Sequence, residues 1–101
     1  MANSERKALS SHLVVLITHI IKWYTQPWKR SNSWRLSIKN SREAIEDLLM
    51  KHPSLKSIID VLIPEAIISG TAEAEGEMKI KSTKKTISKK ELFDDTYDLE
   101  E

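Results

Sequence analysis

The stretch KRSNSWRLSIKN sets Lys29, Arg30, Arg35 and Lys39 around Trp34 and a cluster of small hydroxyl and amide side chains, with Arg42 following shortly after. On a helical wheel Arg35, Lys39 and Arg42 form a strip beside an apolar face, and Lys29 and Arg30 lie just ahead of the helix start. Free N–H groups at a helix start favour anions, so five cations here describe a candidate contact for an anion or a nucleic-acid phosphate. Two features weigh against it. Glu46 neutralises the far end of the strip, and Trp34 falls inside the apolar stripe, which makes it core rather than a base-stacking platform. Trp28 is the freer tryptophan. An internal role for the arginines is the other reading, since a guanidinium fork pairs well with acids on a neighbouring helix. The other helices supply few acids beyond Asp60 and Glu65, which points to a partner outside the chain.

Other reactive side chains have less to offer. His12 and His19 are seven residues apart, two helical turns or ~10 Å, too far to share one metal ion, whereas zinc helices use closer spacing. They read as residues flanking a packed stripe beside Trp23, and His52 as a helix-end residue. Glu43, Glu46 and Asp47 cluster on one helix. Lys39 and Arg42 stand four residues before Glu43 and Glu46, the spacing of surface ion pairs rather than of an acid and base held across a cleft. The chain has no cysteine, which excludes thiolate metal sites, disulfides and cysteine nucleophiles. It also has no glycine-rich phosphate loop, no glycine-flanked serine and no calcium loop. The expectation is a protein without catalytic residues, metal, cofactor or small-molecule substrate.

The elements that must carry these residues are helical. From about Ser4 to Thr25, Leu9, Leu13, Leu16, Ile17, Ile20, Ile21 and Tyr24 recur at three and four residue spacing, with Val14 and Val15 off the stripe. The middle of this helix is apolar nearly all round, as in a central helix covered on several sides, and Pro27 ends it. A second helix starts at Ser31 or Asn32, both good N-caps. It carries Trp34, Ile38, Ile45, Leu48 and Leu49 along one side, with Ser41 in the stripe permitting close approach. Pro53 suits the first turn of a third helix, which presents Leu55, Ile59, Leu62 and Ala66. Pro64 should kink or restart that helix, and Gly70 should weaken its far end.

Beyond Ile68 the pattern fades. TAEAEGEMKIKSTKKTISKK lacks a sustained apolar period and reads as a charged, flexible linker. Ser88 and Glu91 then form a capping box, with Ile87 and Leu92 at the positions of a hydrophobic staple, predicting a short helix from Lys89 to about Asp95. The division expected is a helical domain over 1–70, a linker over 71–87, and a short helix with an acidic tail over 88–101. The fold class is all-α, a small bundle of three main helices.

The net charge is only +1, but six lysines and no acid lie between Lys79 and Lys90, and six acids and no base between Glu91 and Glu101. The basic and acidic blocks could attract each other, or the tail could fold onto the cations of the second helix. The longest apolar stretch, Leu13 to Ile21, is far short of the ~20 residues that span a bilayer, and no secretory pattern opens the chain. No membrane contact and a cytoplasmic address are expected.

The segments HLVVLITHIIKW, the QP turn, RSNSWR, IEDLL and PSL, in that order over residues 7 to 55, resemble the bacterial helical family known as domain of unknown function 29. LFDDTYDLE near the end is similar to the closing segment of its members. The resemblance implies a mostly helical fold and no particular activity. Members usually begin with a further helical segment, rich in acids and aromatics, ahead of the position of Ser4, so the chain reads as an N-terminally truncated member. Without that cover Leu13, Val14, Val15, Leu16, Ile17, Ile20 and Ile21 would expose apolar surface, which another chain usually shields. The leading expectation is therefore a non-catalytic protein-interaction or self-associating module using this face. The alternative is a nucleic-acid binder using Lys29, Arg30, Arg35, Lys39, Arg42 and the lysine-rich linker, and a third reading is a gene fragment without function.

Overall fold

The computed structural model describes residues 3–99. Helix α1 (Asn3–Thr25) is followed by a 3-10 turn (Pro27–Lys29), α2 (Asn32–Lys51), a second 3-10 turn (Pro53–Ser57), α3 (Ile59–Met78) and the short α4 (Lys89–Phe93). There is no strand among the described residues, and the architecture is a small all-α bundle. Ser31 caps α2, its hydroxyl accepting the Trp34 N–H at 3.3 Å. Pro53 opens the 3-10 turn rather than α3 itself, which begins at Ile59.

Helix α1 occupies the middle, packing against α2, α3 and α4. Leu9, Leu13, Leu16, Ile17, Ile20 and Ile21 are fully buried, and Trp23 is nearly so. The all-round apolar character of α1 is thus matched by cover from several elements of its own chain. From α2, Ile38, Ser41 and Ile45 complete one side, and from α3, Ile59, Leu62, Ile63, Ala66, Gly70 and Ala74 complete another.

The third helix corrects the expected boundary. It runs through Pro64 and Gly70 to Met78, ten residues beyond Ile68, so the first half of the segment read as linker is helical. Two features explain this. Pro64 and Asp60, whose carbonyl loses its helical donor to the proline, both lie on the exposed side, where water can satisfy that carbonyl. Ala66, Gly70 and Ala74, four residues apart, form a buried small-residue stripe. A Cβ at Gly70 would lie 2.6 Å from Cγ2 of Ile17, so α1 approaches α3 at this glycine too closely for a larger residue. The Thr18 hydroxyl donates to the Gly70 carbonyl at 3.4 Å. Farther along the same pair, the nearly buried Lys22 forms an ion pair with Glu77, so α1 and α3 run in the same direction.

After α3, Lys79 adopts a left-handed conformation (φ 61°) and its N–H closes the helix on the Glu75 carbonyl at 2.8 Å. Glu75 then accepts the Ser82 N–H at 2.8 Å, and the Thr25 hydroxyl accepts the Thr83 N–H at 3.3 Å. Ser88 and Glu91 make the capping box foreseen for α4, and the staple residues Ile87 and Leu92 are both buried. The helix stops at Phe93, two residues short of expectation, and a strap without regular secondary structure, residues 94–99, follows after a turn at Asp94. Glu100 and Glu101 of the acidic tail lie outside the described residues.

Candidate functional site

The strip of cations on α2 meets the C-terminal strap. Arg35, Lys39 and Arg42, with Ile38, Glu43 and Glu46, line one wall of a cleft of about 370 Å³ whose other wall is Phe93, Thr96, Tyr97 and Asp98. Three of the lining side chains are basic and three acidic, and two carry aromatic rings. The tail therefore does lie along the basic strip of α2, one of the arrangements its charge suggested.

Arg42 and Tyr97 hold the two walls together. Arg42 donates from Nε to the Leu92 carbonyl at 2.7 Å and from Nη2 to the Glu91 carbonyl at 3.0 Å, satisfying carbonyls that the end of α4 leaves free. Its guanidinium lies 5.2 Å from the centre of the Tyr97 ring. That ring is only 6 % exposed and stands edge-on to Trp23 and Tyr24, with centroids 5.7 and 6.1 Å away. The Tyr97 hydroxyl donates to the Glu91 carbonyl at 2.7 Å. Burial pushes the Tyr97 phenol far above its ordinary value, so it stays neutral. The Glu91 carboxylate is held below the usual range by its hydrogen bond from Lys84 and, next, by the Ser88 N–H. Lys84 in turn lies 4.6 Å from the Tyr24 ring centre.

The five cations proposed for an anion do not form one patch. Arg30 donates to the Trp23 carbonyl at 2.8 Å and lies 4.8 Å from the Trp23 ring centre. Lys29 is exposed in the 3-10 turn. Arg35 makes a fork to Oδ1 of Asn32 at 2.7 and 3.0 Å, and Lys39 is exposed at the cleft. Arg30 and Arg42 do serve internally, as one reading had it, but their partners are main-chain carbonyls and rings rather than acids, and Arg35 pairs with a side-chain amide of its own helix. The expected Arg42–Glu46 surface pair gives way to the contacts with α4. The four-residue ion pair of α2 is instead Asp47–Lys51 at 2.9 Å.

The face of α1 assigned to an outside partner is likewise corrected. Leu13, Leu16, Ile17, Ile20 and Ile21 have no exposed surface, because α2, α3 and the C-terminal elements enclose them; Val14 is half-buried, and Val15 alone of the seven is exposed, at 42 %. Among the long helices the more exposed branched residues are Val61 and Ile68 on α3. Trp28 is largely exposed, as expected of the freer tryptophan, while Trp34 is half-buried with Lys22 5.6 Å from its ring. His19 bonds to the Val15 carbonyl of its own helix at 2.8 Å. Among the described residues no three His, Cys, Asp or Glu side chains come together as a metal site would need, and no helix is long and apolar enough to cross a membrane.

The sequence offers Leu92, Phe93 and Tyr97 as apolar surface able to dock; what it does not give is the seat of Tyr97 beside Arg42, Trp23 and Tyr24. Chemically, Arg42 and the Tyr97 ring hold the cleft's two walls together, and the cleft between them presents side-chain charges of both signs.

The model of the family described as Domain of unknown function DUF29 matches residues 1–98, and the chain belongs to that family. The match takes in the whole of α1 to α4 and most of the strap, well beyond the 7 to 55 region that carried the resemblance. No curated protein and no solved structure matches the chain.

Proposed function

We propose that this member of the DUF29 family is a non-catalytic protein-interaction module whose contact surface is the cleft between α2 and the C-terminal strap. One observation carries the reading: the cleft sets Arg35, Lys39 and Arg42 against Glu43, Glu46 and Asp98 around the rings of Phe93 and Tyr97. A balanced, aromatic-lined surface of this kind suits a polypeptide, which can carry side chains of both charges beside apolar ones. A phosphodiester backbone would meet three carboxylates there. The nucleic-acid alternative needs five cations acting together, and Arg30 and Arg42 are turned toward carbonyls of the chain itself.

The test is affinity capture from native cells with the intact chain and with the Arg35→Glu, Lys39→Glu double variant, followed by rebinding of the captured protein in purified form. A protein partner retained by the parent chain after nuclease treatment, rebound when pure and lost with the double variant supports the reading. Retention indifferent to the two substitutions overturns it. Retention abolished by nuclease, with affinity falling steeply as salt rises, assigns the surface to nucleic acid instead.

A further inference from the structure

We infer that the outward face of α3 is the seam of a two-fold homodimer, in which the helix packs antiparallel against the same helix of a second copy of this chain. The face is separate from the cleft on α2, so this inference and the proposed function stand or fall independently.

Helix α3 is apolar on both of its faces. Ile59, Leu62, Ile63, Ala66, Gly70 and Ala74 are buried inside the bundle, while Val61, Pro64, Ile68 and Ala72 lie on the solvent side. Val61 and Ile68 are 59 % and 73 % exposed, and their spacing of seven residues stacks them two turns apart on one line of the helix. Ala72 continues that line one turn farther on, and Lys79 closes it two turns beyond. The solvent side of a helix that meets only water is ordinarily polar, and a helix apolar all round is ordinarily covered.

Shape and charge together make a second copy the fitting cover. A two-fold contact sets residue i against j and j against i. With the axis midway between Ile68 and Ala72, each large isoleucine meets the small alanine of the other copy, so one line supplies both knob and hole. Glu65 stands beside the first half of the line and Lys79 at its far end, and neither has an ion-pair partner among the described residues. Antiparallel packing brings each Glu65 within one turn of the second copy's Lys79, whereas parallel packing would set like charges against each other. A seam one helix wide lies at the low end of interface size, ~1,200 Å² or less, so the dimer is a weak one with a dissociation constant in the ~micromolar range.

Sedimentation equilibrium of the full chain from ~1 to ~500 μM tests the seam, and across that range the parent should pass from monomer to dimer. Ile68, Glu65 and Lys79 are exposed in the single chain, so substitutions there leave its core intact. Ile68→Glu puts a carboxylate at the centre of the seam and should weaken the dimer at least about tenfold. Glu65→Lys and Lys79→Glu should each weaken it about threefold or more, and the double exchange, which restores opposite charges in antiparallel order, should return it to within about twofold of the parent. Should Ile68→Glu fail to fold, as read by circular dichroism, the charge exchange decides. A parent chain that stays monomeric throughout, a folded Ile68→Glu chain that dimerises as well as the parent, or a double exchange no better than the single ones overturns the inference.

Discussion

Arg42 and Tyr97 converge on a single acceptor: the Glu91 carbonyl takes hydrogen bonds from the Arg42 Nη2 at 3.0 Å and the Tyr97 hydroxyl at 2.7 Å, using both of its lone pairs. The same guanidinium reaches the Leu92 carbonyl and faces the Tyr97 ring. One side chain of α2 therefore fixes both the end of α4 and the strap beyond it.

Replacing Arg42 by alanine should cost about 2 kcal/mol, because two charge-assisted hydrogen bonds to half-enclosed carbonyls are lost together with the contact over the ring. Arg42→Lys should recover less than half of that, since an ammonium cannot fork to two carbonyls and cover a ring at once. Urea titration reads the effect as a lower midpoint.

Tyr97 should impose an alkaline limit on stability. Burial holds its phenol well above the ordinary value in the folded chain, whereas in the unfolded chain it ionises near ~10. Above that pH the folded state keeps a proton that the unfolded state has lost, so stability falls as pH rises, and below it the group contributes no slope. Tyr97→Phe should lower stability at neutral pH by about 1 kcal/mol for the lost hydrogen bond. It should also flatten the decline above the phenol's unfolded value, as read from urea midpoints of the two chains across pH.

The two glycines of α3 should respond to alanine in opposite directions. At Gly70 a new Cβ meets Cγ2 and Cβ of the fully buried Ile17 at 2.6 and 2.9 Å, and neither atom is the far end of a flexible chain. Overpacking there should outweigh the gain in helix propensity and destabilise the fold by about 1–2 kcal/mol. At Gly76 nothing lies within 4 Å of the added carbon, and the same substitution should stabilise by up to about 1 kcal/mol. Thermal melts of the two variants beside the parent chain decide it.

Much of this fold was legible because its signals are local. The α1 stripe, the Ser31 cap and the Ser88–Glu91 capping box depend on residues within a few positions of one another, and all appear where the pattern put them. The far half of α3 was not legible from large apolar residues, since it buries Ala66, Gly70 and Ala74, whose small size matters only once α1 lies against them. A four-residue spacing of small residues was the clue. Periodicity likewise showed that α1 needed cover all round but not where the cover would come from. That depended on α4 and the strap folding back, which Arg42 and Tyr97 secure across about fifty positions of sequence. Charge counting placed cations and acids correctly in the chain, yet Arg30 and Arg42 spend their hydrogen bonds on main-chain carbonyls, which no pattern of side chains announces.

Acid should loosen the C-terminal region through Glu91. Its carboxylate is held below the usual range first by Lys84 and then by the Ser88 N–H, whereas in the unfolded chain it titrates near ~4.3. The stabilisation is therefore complete above that unfolded value and is lost as pH falls through the lower folded one. Glu77, lowered by its hydrogen bond from Lys22, acts in the same direction, so Glu91 accounts for only part of the acid limb. Glu91→Gln keeps an acceptor for the capping box but offers no charge to Lys84. Its stability should start lower at neutral pH and decline less steeply in acid than that of the parent chain. Ser88→Ala provides the contrast: it removes the side-chain cap, at about 1 kcal/mol, while leaving the main-chain N–H that Glu91 uses. That variant should shift the whole pH–stability curve downward and change its acid slope far less than Glu91→Gln does, since the Ser88 hydroxyl is only the smallest of the influences that lower Glu91. Urea midpoints of the three chains from neutral pH down to the acid transition test both statements; an acid limb of unchanged steepness in Glu91→Gln would refute the assignment to this carboxylate.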